Sequence, residues 1–192
     1  MGSTDTWDNG YPSGGNYWSD YRTSYPSAIE NDSSDTWNTP YNVSSGNIDR
    51  YPLMAQFQMF NVGTWNGVTY GVGMVSNSTI KNVKFNSTAR TLSFNVTGMA
   101  DTLGFCRVDI PFSLMSGSWN VTVNGKSAPF NTLSDANYTY IYFTYQHSTQ
   151  TVQITSTSAV PEFQPYMLLL LFMIITLLGA IILKRKRSAT AG

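Results

Sequence analysis

His147 and Cys106 are each the only residue of their kind in the chain, and that narrows the chemistry at once. His147 sits in Gln146-His147-Ser148-Thr149, between two stretches that read as strands, and so reads as a surface turn residue. As a catalytic base it would have no partner set in a motif. Cys106 lies in an apolar stretch. A single cysteine forms no intrachain disulfide and no cysteine-based zinc site, so it reads as a small buried hydrophobe. No glycine-rich phosphate loop follows a strand, and no nucleophile elbow occurs. Glu162 beside Pro161 is a boundary residue rather than half of a carboxylate pair. The expectation is a non-enzymatic chain with no catalytic or cofactor-binding residue.

Carboxylates are the remaining candidates for a metal. Asp5, Asp8, Asp20, Glu30, Asp32, Asp35 and Asp49 crowd residues 1–50 beside many Asn and Ser oxygens. Hard oxygen ligands suit calcium, but no spaced Asp-x-Asp-x-Asp loop occurs. Solvated turns and caps explain these acids more simply. Copper is a weaker reading, because its usual ligands are scarce.

Seven Asn-x-Ser/Thr triplets begin at Asn31, Asn42, Asn77, Asn86, Asn95, Asn120 and Asn137. Asn95 and Asn120 alternate with apolar residues and are expected to point to solvent. That placement fits glycosylation of an exposed sheet face as well as ordinary polar β surface. Tyr138, Tyr140 and Tyr142 share one strand face, which reads as sheet packing, with sugar or partner binding as the alternative.

These residues sit on alternating strands. Leu92, Phe94 and Val96 alternate with polar residues, as do Cys106, Val108 and Ile110, then Trp119, Val121 and Val123, then Ile141, Phe143 and Tyr145, and Val152 with Ile154. Alternation turns one face to a core and the other to water, so Arg107 and Asp109 are assigned to the wet face. Asn124-Gly125 reads as a type I′ turn. Further strands are expected near Thr69–Val75 and Thr79–Phe85. The fold class is mainly β: an antiparallel Ig-like sandwich over residues 58–157. Residues 1–57 form an irregular Gly/Asn/aromatic-rich segment whose turn signals and low aliphatic content suit packing on something else. The first fifty residues are expected to be loosely ordered unless that support is present.

A linker over 158–165 follows the sandwich. Tyr166 to Leu183 is then a nearly continuous apolar run of roughly 18 residues, about 27 Å long as a helix, enough to span a bilayer. Lys184, Arg185, Lys186 and Arg187 follow in the basic tail 184–192 as a membrane-stop block. By the positive-inside rule the tail is cytoplasmic and the rest faces outward. Lys plus Arg and Asp plus Glu number 11 each, so the part before the basic block is mildly acidic, which argues against nucleic acid as a partner. No basic start followed by an apolar run opens the sequence, so an upstream portion carrying the export signal is expected.

Three stretches carry a family resemblance. Trp7 through Tyr21 (WDNGYPSGGNYWSDY), Thr39-Pro40-Tyr41 and Asn47 through Met54 (NIDRYPLM) closely resemble the tail that follows the right-handed parallel β-helix in archaeal NosD-type surface proteins. The chain departs from that family at Asp35-Thr36-Trp37-Asn38, where the relatives carry a Gly-Ile-Gly-Asp run. Residues 62–157 resemble a β domain near the C-terminus of archaeal surface proteins, through Gly104–Pro111 and Tyr140–Ser148. Pro161-Glu162-Phe163 resembles a PEF-type sorting signal, which an archaeosortase cuts and replaces with a lipid anchor. The resemblance implies a membrane-proximal stalk and anchor for an upstream β-helix. Its partners would be membrane lipid, that β-helix, an archaeosortase, and a surface glycan or protein. The rival readings are a glycan- or protein-binding module and the non-catalytic end of a polysaccharide-processing β-helix enzyme.

Overall fold

The structure, a computed structural model, describes residues 5–160, 170–179 and 181–182. Contacts divide the chain into two units, Met1–Val160 and Pro161–Gly192.

In the first unit a short helix α1 (Tyr21–Ser24) precedes two small hairpins. One joins β1 (Glu30–Asn31) to β2 (Thr36–Trp37), and the other joins β3 (Tyr41–Ser44) to β4 (Asn47–Asp49). The sandwich follows as β5 (Phe57–Trp65), β6 (Val68–Ser76), β7 (Thr79–Asn86), β8 (Thr91–Thr97), β9 (Leu103–Pro111), β10 (Met115–Val123), β11 (Lys126–Ser127), β12 (Phe130–Ser134), β13 (Tyr138–Gln146) and β14 (Thr149–Ala159). Sheet I has the order β11-β10-β14-β8-β7 and sheet II the order β12-β13-β9-β6-β5. Every pairing within them is antiparallel. The protein is therefore mainly β, with two antiparallel sheets facing each other across one core.

Alternation builds that core. Phe94, Cys106, Val108, Val121, Phe143 and Ile154 are all buried in one apolar cluster drawn from both sheets. Asn124 and Gly125 both have positive φ, as a type I′ turn requires, and they close the β10–β11 hairpin. The expected strands near 69–75 and 79–85 are β6 and β7. β5 was not read from the sequence; its outward Phe57 and Met59 match its inward-packed Phe60 in apolarity, which hides the period.

The two sheets treat their outer faces differently. Sheet I turns Ser93, Asn95, Thr151 and Gln153 outward, none of them buried. Sheet II is covered. Leu53 and Ala55 pack with Val75, Phe105 and Tyr142 in a second apolar cluster on its outer face. Tyr21, Ala28 and Trp37 form a third within the N-terminal segment. Residues 5–56 thus form a layer on the sandwich, and β9 is buried on both faces from Gly104 to Ile110. Arg107 and Asp109, assigned to the wet face by alternation, are 1% and 7% exposed. They are polar because the covering layer is polar there, not because water is.

In the second unit residues 170–179 and 181–182 are helical, with exposed side chains such as Leu171, Phe172 and Ile175. Among the described residues no helix is long and apolar enough to cross a membrane. The expected span 166–183 includes residues outside those described. Pro161, Glu162, Phe163 and Lys184 to Arg187 lie wholly outside them.

Val108→Asp places an unpaired carboxylate in the shared core, where Val108 is fully buried. A loss of roughly 4 kcal/mol or more is expected. Thermal denaturation by circular dichroism checks it; a wild-type melting curve would mean that the inner face is misassigned.

Candidate functional site

The most demanding polar group in the first unit is Arg107. Strand parity sends Cys106 and Val108 inward and Arg107 outward, into the N-terminal layer. Its Nη1 lies 2.7 Å from Asp35 Oδ1. Nε donates to Asp109 Oδ1 at 2.8 Å, and Nη2 donates to Asp109 Oδ2 at 3.1 Å. Nη1 also meets the carbonyls of Pro12 at 3.1 Å and Ser34 at 3.3 Å, while Nη2 reaches that of Ser13 at 3.0 Å. The Tyr140 ring centroid lies 5.2 Å from the guanidinium carbon. A guanidinium has five N–H groups and no acceptor, so this ring of oxygens uses its donor capacity without adding a competing donor.

Two carboxylates share this one cation. Asp35 is wholly buried, and burial pushes its pKa well above the ordinary carboxylate value, with Arg107 opposing and Asp109 and Glu30 reinforcing the rise. Burial also raises Asp109 against the pull of Arg107. Arg107 feels burial as a force toward neutrality, but the two carboxylates outweigh it and raise its pKa. Asp35 is held in place by its backbone: its N–H donates to Glu30 Oε1 at 3.2 Å and its carbonyl accepts from Met54 N at 2.8 Å. Its φ is +59°, a region that Asp tolerates better than most residues.

The other acids of the segment serve similar ends. Asp49 accepts from Asn16 N at 2.7 Å, Trp18 Nε1 at 2.8 Å and Tyr51 N at 3.1 Å. Gly15 is required beside it, since a Cβ there would fall 2.0 Å from Asp49 Oδ1. Asp8 accepts from Arg50 N, Nε and Nη2 and from Gly10 N. Burial opposes its ionisation, but those donors prevail and lower its pKa. Asp20 accepts from Tyr41 Oη at 2.9 Å. Glu30 accepts the Asp35 N–H, and Asp32 has φ +51° in the β1–β2 turn. Among the described residues no group of three His, Cys, Asp or Glu is placed to hold a metal ion. The carboxylates of Asp8, Asp20, Glu30, Asp35 and Asp49 bind the segment to itself and to sheet II.

His147 is not a surface turn residue. It is buried between the β13–β14 hairpin and the β8–β9 connection, with the ring against Gly98, where a Cβ would come within 2.3 Å of it. Thr102 Oγ1 donates to the Met99 carbonyl at 2.6 Å, so it must accept from His147 Nδ1–H. In the neutral imidazole Nε2 is then an acceptor, and the Ser78 hydroxyl donates to it at 2.7 Å. Ser78 Oγ in turn accepts from Tyr145 Oη at 2.7 Å. Burial raises the Tyr145 pKa to about 12 and keeps it a donor. A serine beside a histidine suggests a nucleophile and its base, but both ring nitrogens face hydroxyls where a triad has a carboxylate. The chain of hydroxyls ties the β6–β7 turn and the β8–β9 connection to β13 and its hairpin.

The sequons differ in availability. Asn42, Asn86, Asn120 and Asn137 are exposed, and Asn31 and Asn95 are half-buried. Asn77 is exposed but committed: its Nδ2 donates to the Leu103 carbonyl at 3.0 Å and its Oδ1 accepts from Phe105 N at 2.9 Å, extending the β6–β9 ladder. Cys106 lies in the core, with burial raising its pKa. Of the tyrosine row, Tyr142 and Tyr140 are buried and Tyr138 is half-buried. Beside Tyr138 a cleft of about 410 Å³ opens between residues 9–17 and sheet II.

Sequence reasoning found none of the Arg107 contacts. The available signal was the company Arg107 keeps: Phe105 on the same outward face, and Tyr140 and Tyr142 on the paired strand, make a face too apolar for water. No family model, curated protein or solved structure matches the chain.

Arg107→Ala leaves Asp35 and Asp109 buried without a cation and is expected to cost about 3–5 kcal/mol. Limited trypsin digestion with mass spectrometry should then cut first at Arg22 and Arg50. Because the fold raises the pKa of Asp35, the stability tied to that proton is lost as pH climbs through the raised value and is complete below the ordinary 3.8. Asp8 and Asp135, whose pKa values are lowered, act in the opposite sense: their contribution is lost as pH falls below 3.8 through those values. Asp35→Asn should therefore flatten the alkaline side of the stability profile and leave the acid limb in place.

Proposed function

We propose that the chain is a non-enzymatic cell-surface part, a membrane-proximal stalk and anchor that displays an upstream β-helix. The observation that carries this reading is the Arg107 clamp. The stretch that resembles the tail of a β-helix does not dangle; it is fastened through a buried ion-pair network to the middle strand of sheet II. A joint of that kind passes orientation and load from whatever precedes it into the sandwich. A flexible linker would not need a buried arginine.

In this reading the sandwich is an Ig-like spacer, residues 166–183 cross the membrane, and Lys184, Arg185, Lys186 and Arg187 hold the tail on the cytoplasmic side. The apolar run carries no charged residue, so its role is attachment rather than transport. Pro161-Glu162-Phe163 would direct an archaeosortase to exchange this helix for a lipid. Exposed sequons such as Asn120 and Asn137 would carry surface glycan, with nucleic acid no partner. Asn77 would stay bare because its amide nitrogen is engaged.

Fractionation of the exported full-length chain tests the anchor. Retention in the membrane fraction until detergent is added is expected. Recovery in the soluble fraction with an intact C-terminus would overturn the reading. Mass spectrometry of the native protein distinguishes the two forms of anchor: an end near Gly192 means a retained helix, an end near residue 163 a lipid. In the same digest the Asn77 peptide is expected unmodified.

A further inference from the structure

Residues 5–56 cover only part of the outer face of sheet II. Toward the β9 residue Asp109 and the β13 residue Tyr138 the cover stops, and the cleft of about 410 Å³ begins. That size lies in the range of sites that take small molecules. The chain builds the cleft deliberately. β6 presents glycine at both of its outward positions there. A Cβ at Gly73 would fall 2.6 Å from Phe57 Cε2, and one at Gly71 would fall 2.8 Å from Met59 Sδ. The two β5 side chains therefore lie over a smooth strip of backbone, yet stay 45% and 59% exposed. Tyr17, 41% exposed, supplies an aromatic ring from the opposite wall.

The polar groups around these rings are uncommitted. Among the described residues the hydroxyls of Tyr17 and Tyr138 and the side-chain amide of Asn9 have no hydrogen-bond partner, whereas Tyr21, Tyr41 and Tyr140 all donate to protein acceptors. Charge narrows the ligand further. None of the described residues lining the cleft is Lys or Arg, and the floor includes Asp109, one of two carboxylates sharing a single guanidinium. An anion would find no free cation there, since the nearest guanidinium is already shared by two carboxylates. A purely apolar ligand would cover the Asn9 amide and the tyrosine hydroxyls without offering them a partner, at a cost. A neutral, polyhydroxylated ring satisfies both demands, with its C–H face on Phe57 or Tyr17 and its hydroxyls on Asn9 and the Tyr138 hydroxyl.

We propose that this cleft is a binding site for a neutral oligosaccharide. Tyr138 at its rim is the middle residue of the Asn137-Tyr138-Thr139 triplet. The site does not depend on the anchor: it would serve a retained, a lipidated or a released protein equally.

The test is isothermal titration of the full chain, held in a detergent without a sugar headgroup, against maltotriose, cellotriose, mannotriose and chitotriose. At least one is expected to bind. Phe57→Ala and Tyr17→Ala are expected to weaken that binding at least about tenfold, the scale of losing one aromatic anchor. Tyr138→Phe, which removes only a hydroxyl and keeps the ring, should weaken it measurably with an unchanged melting temperature. Thr151→Ala, on the outer face of sheet I, should leave it unchanged. The proposal is overturned if none of the four sugars binds, or if binding survives all three cleft variants. It is also overturned if an uncharged apolar peptide displaces the sugar at lower concentration than the sugar itself requires.

Discussion

A guanidinium buried between two carboxylates sets the terms for the first unit. Moving such groups out of water costs several kcal/mol per ion, and their attraction offsets this only when every donor is satisfied. Arg107 meets that condition through both Asp109 oxygens on its own strand and through the carbonyls of Pro12, Ser13 and Ser34 from the covering layer, with Asp35 opposite as an ion pair that takes no hydrogen bond. The requirement works backward on the chain. Asp32, Ser33 and Asp35 all take positive φ, and the β1–β2 turn is thereby bent to bring one carboxylate and one carbonyl to the arginine. A well-packed apolar side chain at 107 could cover as much surface. It would not demand that residues 12–13 and 34–35 arrive in one register. The clamp is best understood as a device for specifying where the layer sits, with its net contribution to stability secondary.

That registration explains the asymmetry between the sheets. Sheet I needs only one apolar face and shows the simple pattern, buried Leu92, Phe94 and Val96 against Ser93 and Asn95. Sheet II lies between two layers, so β9 and β13 must be buried on both sides. The inner side is solved by Val108, Ile110, Ile141 and Phe143. The outer side is solved in two ways along the strands. Where the layer offers Leu53 and Ala55, the sheet offers Val75, Phe105 and Tyr142. Where the layer offers backbone carbonyls, the sheet offers Arg107.

The inner core was legible because period-two alternation is a local signal, and the strands that display it need no knowledge of the rest of the chain. The same rule misplaced Arg107 and Asp109 because it has two states, core and water, and no state for a face covered by other protein. Ser93 and Asn95 give the same polar signature as Arg107 and Asp109, yet only the former pair meets solvent. His147 was hidden for a related reason: its turn is tight in sequence, but Gly98, some fifty positions earlier, leaves the space that the ring fills. The acids of residues 1–50 were legible as a group and not as individuals. Nothing local says that Asp49 will cap Trp18 and the backbone of Asn16, while Asp35 will meet an arginine from β9.

The outward tyrosines of β13 show how far the cover reaches. They are one residue type at three successive positions of one face, so strand geometry alone would treat them alike. Tyr142 is buried beside Phe105, with burial foremost and then a hydrogen bond to Glu30 raising its pKa. Tyr140 is buried against Arg107 and donates to Asp135 at 2.6 Å. Tyr138 is half-buried, and its hydroxyl has no partner among the described residues. The boundary of the layer therefore falls between residues 140 and 138, one pleat of a strand. Beyond that boundary the sheet does not revert to the Ser and Thr of sheet I, as a surface meant only for water would. It continues with Phe57, Met59 and Tyr138, side chains whose apolar area water covers poorly. A sheet face that stays largely apolar past the edge of its own cover leaves Phe57, Met59 and Tyr138 beside the cleft in which the oligosaccharide is proposed to sit.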